Sequence, residues 1–145
     1  MSRKTAREHC MKALFQMSMQ NDFDINKIEE DILEEPLEEK QREYMYKVLG
    51  EVITHIKDLD ELIEGYSKGW KINRISKVDL AILRLAFGEI LYIEEVPYPV
   101  AINEAIELAK KFNSEESAAF VNGILGKYVE DKGLKENDTR ANTRD

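Results

Sequence analysis

An all-α fold, one compact bundle of about six to seven helices, is predicted by three features of the 145-residue sequence. Apolar residues recur at helical spacing over most of the length. No sustained period-2 alternation occurs, and 7 Gly with 3 Pro are too few to punctuate a series of short strands. With 43% hydrophobic residues, a domain of this size buries a core without disulfides or metals. One domain is expected over residues 1–131, followed by a polar, aperiodic tail over 132–145 that the composition marks as disordered.

The first helix is predicted from about Arg3 to Met19. Ala6, Cys10, Ala13, Leu14 and Met17 form its core stripe, and Lys4, Arg7, Met11 and Phe15 lie on the adjoining face. A short acidic helix, Ile25 to Leu33, is opened by Asp24 and stopped before Pro36. The periodic run Met45, Val48, Leu49, Val52, Ile53, Ile56, Leu59, Leu62, Ile63, Tyr66 follows, with a bend or break expected near Lys57-Asp58. Ser67 to Trp70 reads as a loop and Ser76 as an N-cap. From Lys77 to Ile93 the chain is apolar nearly all round, which places this helix at the centre of the bundle, with Asp79, Arg84 and Glu89 as its polar exceptions.

Val96-Pro97-Tyr98-Pro99 reads as a non-helical bracket, so the next helix is expected to begin near Val100. Asn113 suits a left-handed helix end, and Ser114 suits the N-cap of a last helix whose first turn carries Glu115 and Glu116. Asn103, Glu104 and the Asn122-Gly123 pair read mainly as structural. The first two would satisfy backbone groups near the proline bracket, and Gly123 would allow close helix approach.

Arg and Lys number 21 against 29 Asp and Glu, a formal net charge of −8, which argues against a general polyanion binder. The charge is segregated, however. Arg3, Lys4, Arg7 and Lys12 begin the chain, Lys68, Lys71, Arg74 and Lys77 surround Trp70, and acid concentrates between Asp22 and Glu64. That pattern suits a selective nucleic-acid binder. Cys10, the single cysteine, reads as a core residue. With no signal peptide and no run near the ~18 apolar residues of a membrane span, a soluble cytoplasmic protein is expected. Catalysis has little support, since phosphate-binding loops, nucleophile elbows and paired cysteines are absent and His9 and His55 stand alone. No cofactor, metal or enzymatic activity is expected.

Several segments in fixed order carry a resemblance: the basic first helix, Trp70, the D-x-A-I-L-R-L-A helix from Asp79, V-P-Y-P-V-A-I-N-E-A-I-E-L-A-K-K-F from Val96, and F-V-N-G-I-L from Phe120. Over roughly Arg3 to Tyr128 the chain resembles the NusB family of bacterial transcription antitermination factors. The resemblance implies binding of boxA, a short single-stranded RNA element in ribosomal RNA operon leaders, with Arg3, Lys4 and Arg7 in the basic segment that contacts it. Tyr66 and Phe120 could offer stacking faces. It also implies ribosomal protein S10 as partner, with Phe15, Met19 and Asp79 on the partner surface, and an RNA polymerase elongation complex reached through that assembly. Homodimers that cover the basic surface occur within the family. Two other readings stand beside this one. A similar helical domain is attached to certain ribosomal RNA cytosine methyltransferases, whose α/β domain and catalytic cysteines are missing here. A helical adaptor that binds only protein is the other.

Overall fold

The computed structural model describes residues 3–27 and 37–134. Among them six α-helices follow one another: α1 (Lys4–Gln20), α2 (Glu39–Thr54), α3 (Ile56–Tyr66), α4 (Lys77–Tyr92), α5 (Tyr98–Phe112) and α6 (Glu115–Asp131), with 3-10 turns at Ile25–Lys27 and Ile72–Arg74. No strand occurs among the described residues, so the fold is all-α. Of the predicted acidic helix only the 3-10 start is described; residues 28–36 and tail residues 135–145 lie outside the described residues.

The helix that is apolar all round is the hub. Every residue of α4 from Asp79 to Ile90 is buried, and α4 packs against each of the other five helices. A helix without a polar face has no stable position at a surface, and each fully buried Leu, Ile or Phe contributes about 1.5–3 kcal/mol of transfer free energy. The first three helices and the last three could be drawn as two subbundles, but both groups share α4 and one continuous core.

The polar exceptions of α4 are its ties to the surrounding helices. Asp79 accepts hydrogen bonds from Asn113 Nδ2 at 3.1 Å and from the Ser117 hydroxyl, reaching α6 and the turn before it. Arg84 donates from Nε and Nη2 to the Asp60 carboxylate on α3, both at 2.8 Å. Glu89 accepts from Arg7 on α1 and Tyr44 on α2. Each buried charge therefore has a partner on a neighbouring helix, the condition for keeping an ion in a core.

Local signals set the helix ends. Ser76 Oγ accepts from the Asp79 N–H at 3.1 Å and Ser114 Oγ from the Ser117 N–H at 3.0 Å, as the N-cap expectation requires. Three expectations need correction. Helix α5 starts at Tyr98, not Val100, with Pro97 as its N-cap. Pro99 falls in the first turn, where an N–H has no intrahelical acceptor to lose, so the second proline does not delay the helix. Asn113 has φ −138°, not a left-handed value, and its side chain turns to Asp79 instead. The long periodic run breaks at His55, earlier than Lys57-Asp58, where the imidazole stacks on Tyr92 with ring centroids 4.0 Å apart.

Glycine matters at a different place from the one expected. A Cβ on Gly123 would meet nothing within 4 Å, whereas a Cβ on Gly88 would lie 2.5 Å from Val52 Cγ2. Gly88 is what lets α4 and α2 approach. Alanine there gains about 1 kcal/mol of helix propensity but overpacks a stiff, buried valine at a cost of about 1–3 kcal/mol. Gly88→Ala should therefore lower stability in chemical denaturation, and should cost less in a Val52→Ala background, where the clashing methyl is gone. Equal losses in the single and combined backgrounds would show that the contact is not limiting.

Candidate nucleic-acid interface

The basic start of α1 divides into an outer and an inner part. Lys4 is exposed, with Nζ 3.5 Å from Glu104 Oε2, and the Arg3 guanidinium lies 4.3 Å from the centroid of the Tyr44 ring. Arg7 points inward. It is 3% exposed, its Nε lies 2.9 and 3.1 Å from the two Glu89 carboxylate oxygens, and its Nη1 lies 3.5 Å from Glu104 Oε1. A guanidinium committed to two carboxylates has little left for phosphate, so the surface cations of this segment are Arg3 and Lys4, and Arg7 anchors the helix that carries them. Burial first, then the neighbouring Glu89 carboxylate, pushes the Tyr44 phenol upward, so it stays a donor to Glu89. Glu104, expected to serve the proline bracket, instead joins α5 to this cluster, while Asn103 is exposed.

Tyr66 and Phe120 come together across α3 and α6. Both line a cleft of about 170 Å3 with Ser67, Lys68, Trp70, Ala119, Gly123 and Ile124. Tyr66 donates its hydroxyl to Asp131, a bond that is the main reason its phenol is pushed up to about 12, and its ring meets Tyr128 edge-on. A second groove, lined by Trp70, Arg74, Ile75, Ser76, Asp79 and Phe120, adjoins the first. Trp70 and Phe120 belong to both, so the two rings form a ridge with a basic residue on each flank, Lys68 on one side and Arg74 on the other.

Trp70 is 53% exposed, a large apolar ring left in water. The loop that presents it is rigidly built: Lys68 and Gly69 have φ of 54° and 89°, Ser67 Oγ lies within hydrogen-bond distance of the Glu64 and Trp70 carbonyls at 3.1 and 2.6 Å, and Glu64 accepts from the Ile72 N–H at 2.8 Å. Sequence reasoning noted Trp70 and its lysines without assigning it to the site. The signal was available in an aromatic residue with no periodic partner, set among four basic side chains.

The three candidate partner residues separate. Phe15 is half-buried against the core and Met19, 59% exposed, lies a turn further along α1. Asp79 is 8% exposed and its Oδ1 accepts from both Asn113 and Ser117; it belongs to the second groove, with Trp70 and Phe120, and not to the α1 surface. That corrects its expected role as an exposed carboxylate facing a partner: a side chain this engaged is a structural bridge.

Cys10 is buried, and burial foremost pushes its thiol up, away from reactivity. Among the described residues no group of three or more His, Cys, Asp or Glu side chains converges as a metal site, and no helix is long and apolar enough to cross a membrane.

Residues 4–130 match the sequence profile of the NusB family. The transcription antitermination protein NusB of Alkaliphilus oremlandii is 57% identical over 138 residues, covering 95% of this chain and all of that protein. The solved structure of T. maritima NusB superposes with a TM-score of 0.82 at 38% identity, covering 90% of this chain and 92% of that one. A crystal structure of the antitermination factors NusB and NusE in complex with dsRNA shares the fold, with a TM-score of 0.80 at 24% identity over 89% of this chain and 96% of that one.

Proposed function

The chain belongs to the NusB family, and from that membership we propose that it binds boxA-type single-stranded RNA together with ribosomal protein S10 and so joins an antitermination complex on RNA polymerase during ribosomal RNA transcription. It acts in the cytoplasm and by assembly; no chemical step is needed. The observation that carries the RNA part is the Trp70–Phe120 ridge between two grooves, flanked by Lys68 and Arg74. Flat exposed rings stack on unpaired bases, and flanking cations take the phosphates between them. Arg3 and Lys4 supply further phosphate contacts, Tyr66 borders the first groove, and Arg7 holds α1 in place. For S10, Met19 with the edge of Phe15 offers the apolar part of a docking face on α1. One domain spans residues 1–131.

The test is a boxA titration with and without S10 at several salt concentrations. Affinity should fall with salt and rise with S10. Trp70→Ala should weaken boxA binding by about 1–3 kcal/mol, the usual loss for one stacked base, with little change in melting temperature because the ring is half in water. Phe120→Ala should show a comparable loss. Salt-independent or undetectable boxA binding, with S10 still bound, would favour the protein-only adaptor.

A further inference from the structure

A groove between the start of α1 and α2 lies apart from the aromatic ridge and is lined by Arg3, Lys40, Gln41, Glu43, Tyr44 and Lys47. Its volume, about 460 Å3, falls in the range of sites that hold small ligands. Three of its lining side chains are cationic and one is anionic. The walls are fixed: Gln41 Oε1 accepts from the Ala6 N–H at 3.0 Å, satisfying a first-turn donor of α1 and locking α1 to α2. Tyr44 is buried and tied to Glu89, and the Arg3 guanidinium over its ring, 4.3 Å from the centroid, is held at the lip by a cation–π contact. Lys47 pairs with Glu95 at 2.6 Å. The Lys47 hydrogen bond, chiefly, holds the Glu95 carboxyl below its ordinary range, and Arg3 adds to this, so two of the three cations of the groove act on one carboxylate.

We propose that this groove takes one nucleotide of the RNA strand beyond boxA, its base stacked on the Arg3 guanidinium and its phosphate between Lys40 and Lys47, with Glu95 competing for Lys47. The proposal rests on the RNA-binding reading above. It follows from two features together: a stacked arginine presents a planar cation, which suits a flat base, and the paired lysines on α2 suit the phosphate next to it. Arg3 makes the groove continuous with the basic start of α1. Glu95 acts as a built-in stand-in for the phosphate, keeping Lys47 in place when RNA is absent.

The full chain should be titrated with boxA RNA alone and with boxA extended by several nucleotides at either end. One extension should bind more tightly, by up to about fivefold per added charge contact, and steepen the salt slope by about 0.7 for each added phosphate contact. Lys40→Gln with Lys47→Gln should abolish that gain and leave boxA alone unaffected, whereas Glu95→Gln should enlarge it, a result that misfolding cannot mimic. Equal affinity for short and extended RNA, or a gain that survives in the double lysine variant, overturns the proposal while leaving boxA binding intact. An acidic peptide that displaces boxA's extension at micromolar concentration would also overturn it, assigning the groove to another ligand. Failure of boxA alone to bind removes the function reading itself, and with it this extension.

Discussion

Arg7→Ala should be among the most damaging single substitutions in this chain, lowering the free energy of unfolding by about 3–5 kcal/mol. The side chain is 3% exposed and its fork engages Glu89 at 2.9 and 3.1 Å and Glu104 at 3.5 Å. Removing it takes the guanidinium away from Glu89, which is 1% exposed and also accepts from the Tyr44 phenol. A buried carboxylate that loses its guanidinium costs more than the lost bond, because its charge stays desolvated. Against a typical total of about 5–15 kcal/mol, such a loss brings the fold near its limit. Arg7→Lys should recover only part, since an ammonium cannot reproduce a guanidinium that reaches Glu89 from Nε and Glu104 from Nη1. Lys111→Ala is the useful contrast. Its 2.7 Å pair with Glu8 on α1 is largely in solvent, and less than about 1 kcal/mol should be lost. Denaturant midpoints for the three variants decide the matter; a loss at Arg7 no larger than that at Lys111 would mean the cluster is solvated and weak.

Arg7 also shows where sequence reading stops. Helical spacing puts it beside the core stripe of α1 among other basic residues, so a basic surface was the natural inference. Its partner Glu89 lies 82 residues away, and nothing local says that the two meet. The same holds for Asp79 with Ser117, 38 residues apart. What was legible came from short-range rules: the central place of α4 from its apolar circumference, the Ser76 and Ser114 caps from their position before helical runs, and the break between α2 and α3 to within a few residues. The proline bracket misled because a first helical turn tolerates proline where a helix interior does not. Tyr66 and Phe120 are visible in the sequence as separate aromatics, but the ridge of Trp70 and Phe120 beside Tyr66 needs the loop geometry that exposes Trp70.

Asp79→Lys should destabilise the fold by about 3 kcal/mol or more, and by more than it weakens any partner contact in the folded fraction. Three losses act in the same direction. Ser117 and Asn113 lose their shared acceptor, and a buried donor left unpaired costs about 1–3 kcal/mol. A cation replaces an anion in the first turn of α4, where the helix dipole favours negative charge. The position is 8% exposed, so the ammonium must either stay unsolvated or push its stem out past Trp70 and Phe120. Asp79→Asn separates these effects: it keeps an oxygen for Ser117 and removes only the charge, so its loss should be the smaller. The lysine stem, by contrast, would also disturb the second groove, and boxA affinity should fall in Asp79→Lys while S10 affinity holds. Melting temperature, boxA affinity and S10 affinity measured on the same preparation test this directly. An unchanged melting temperature with S10 affinity lost would make Asp79 an interface residue after all, and the bridge to Ser117 and Asn113 incidental.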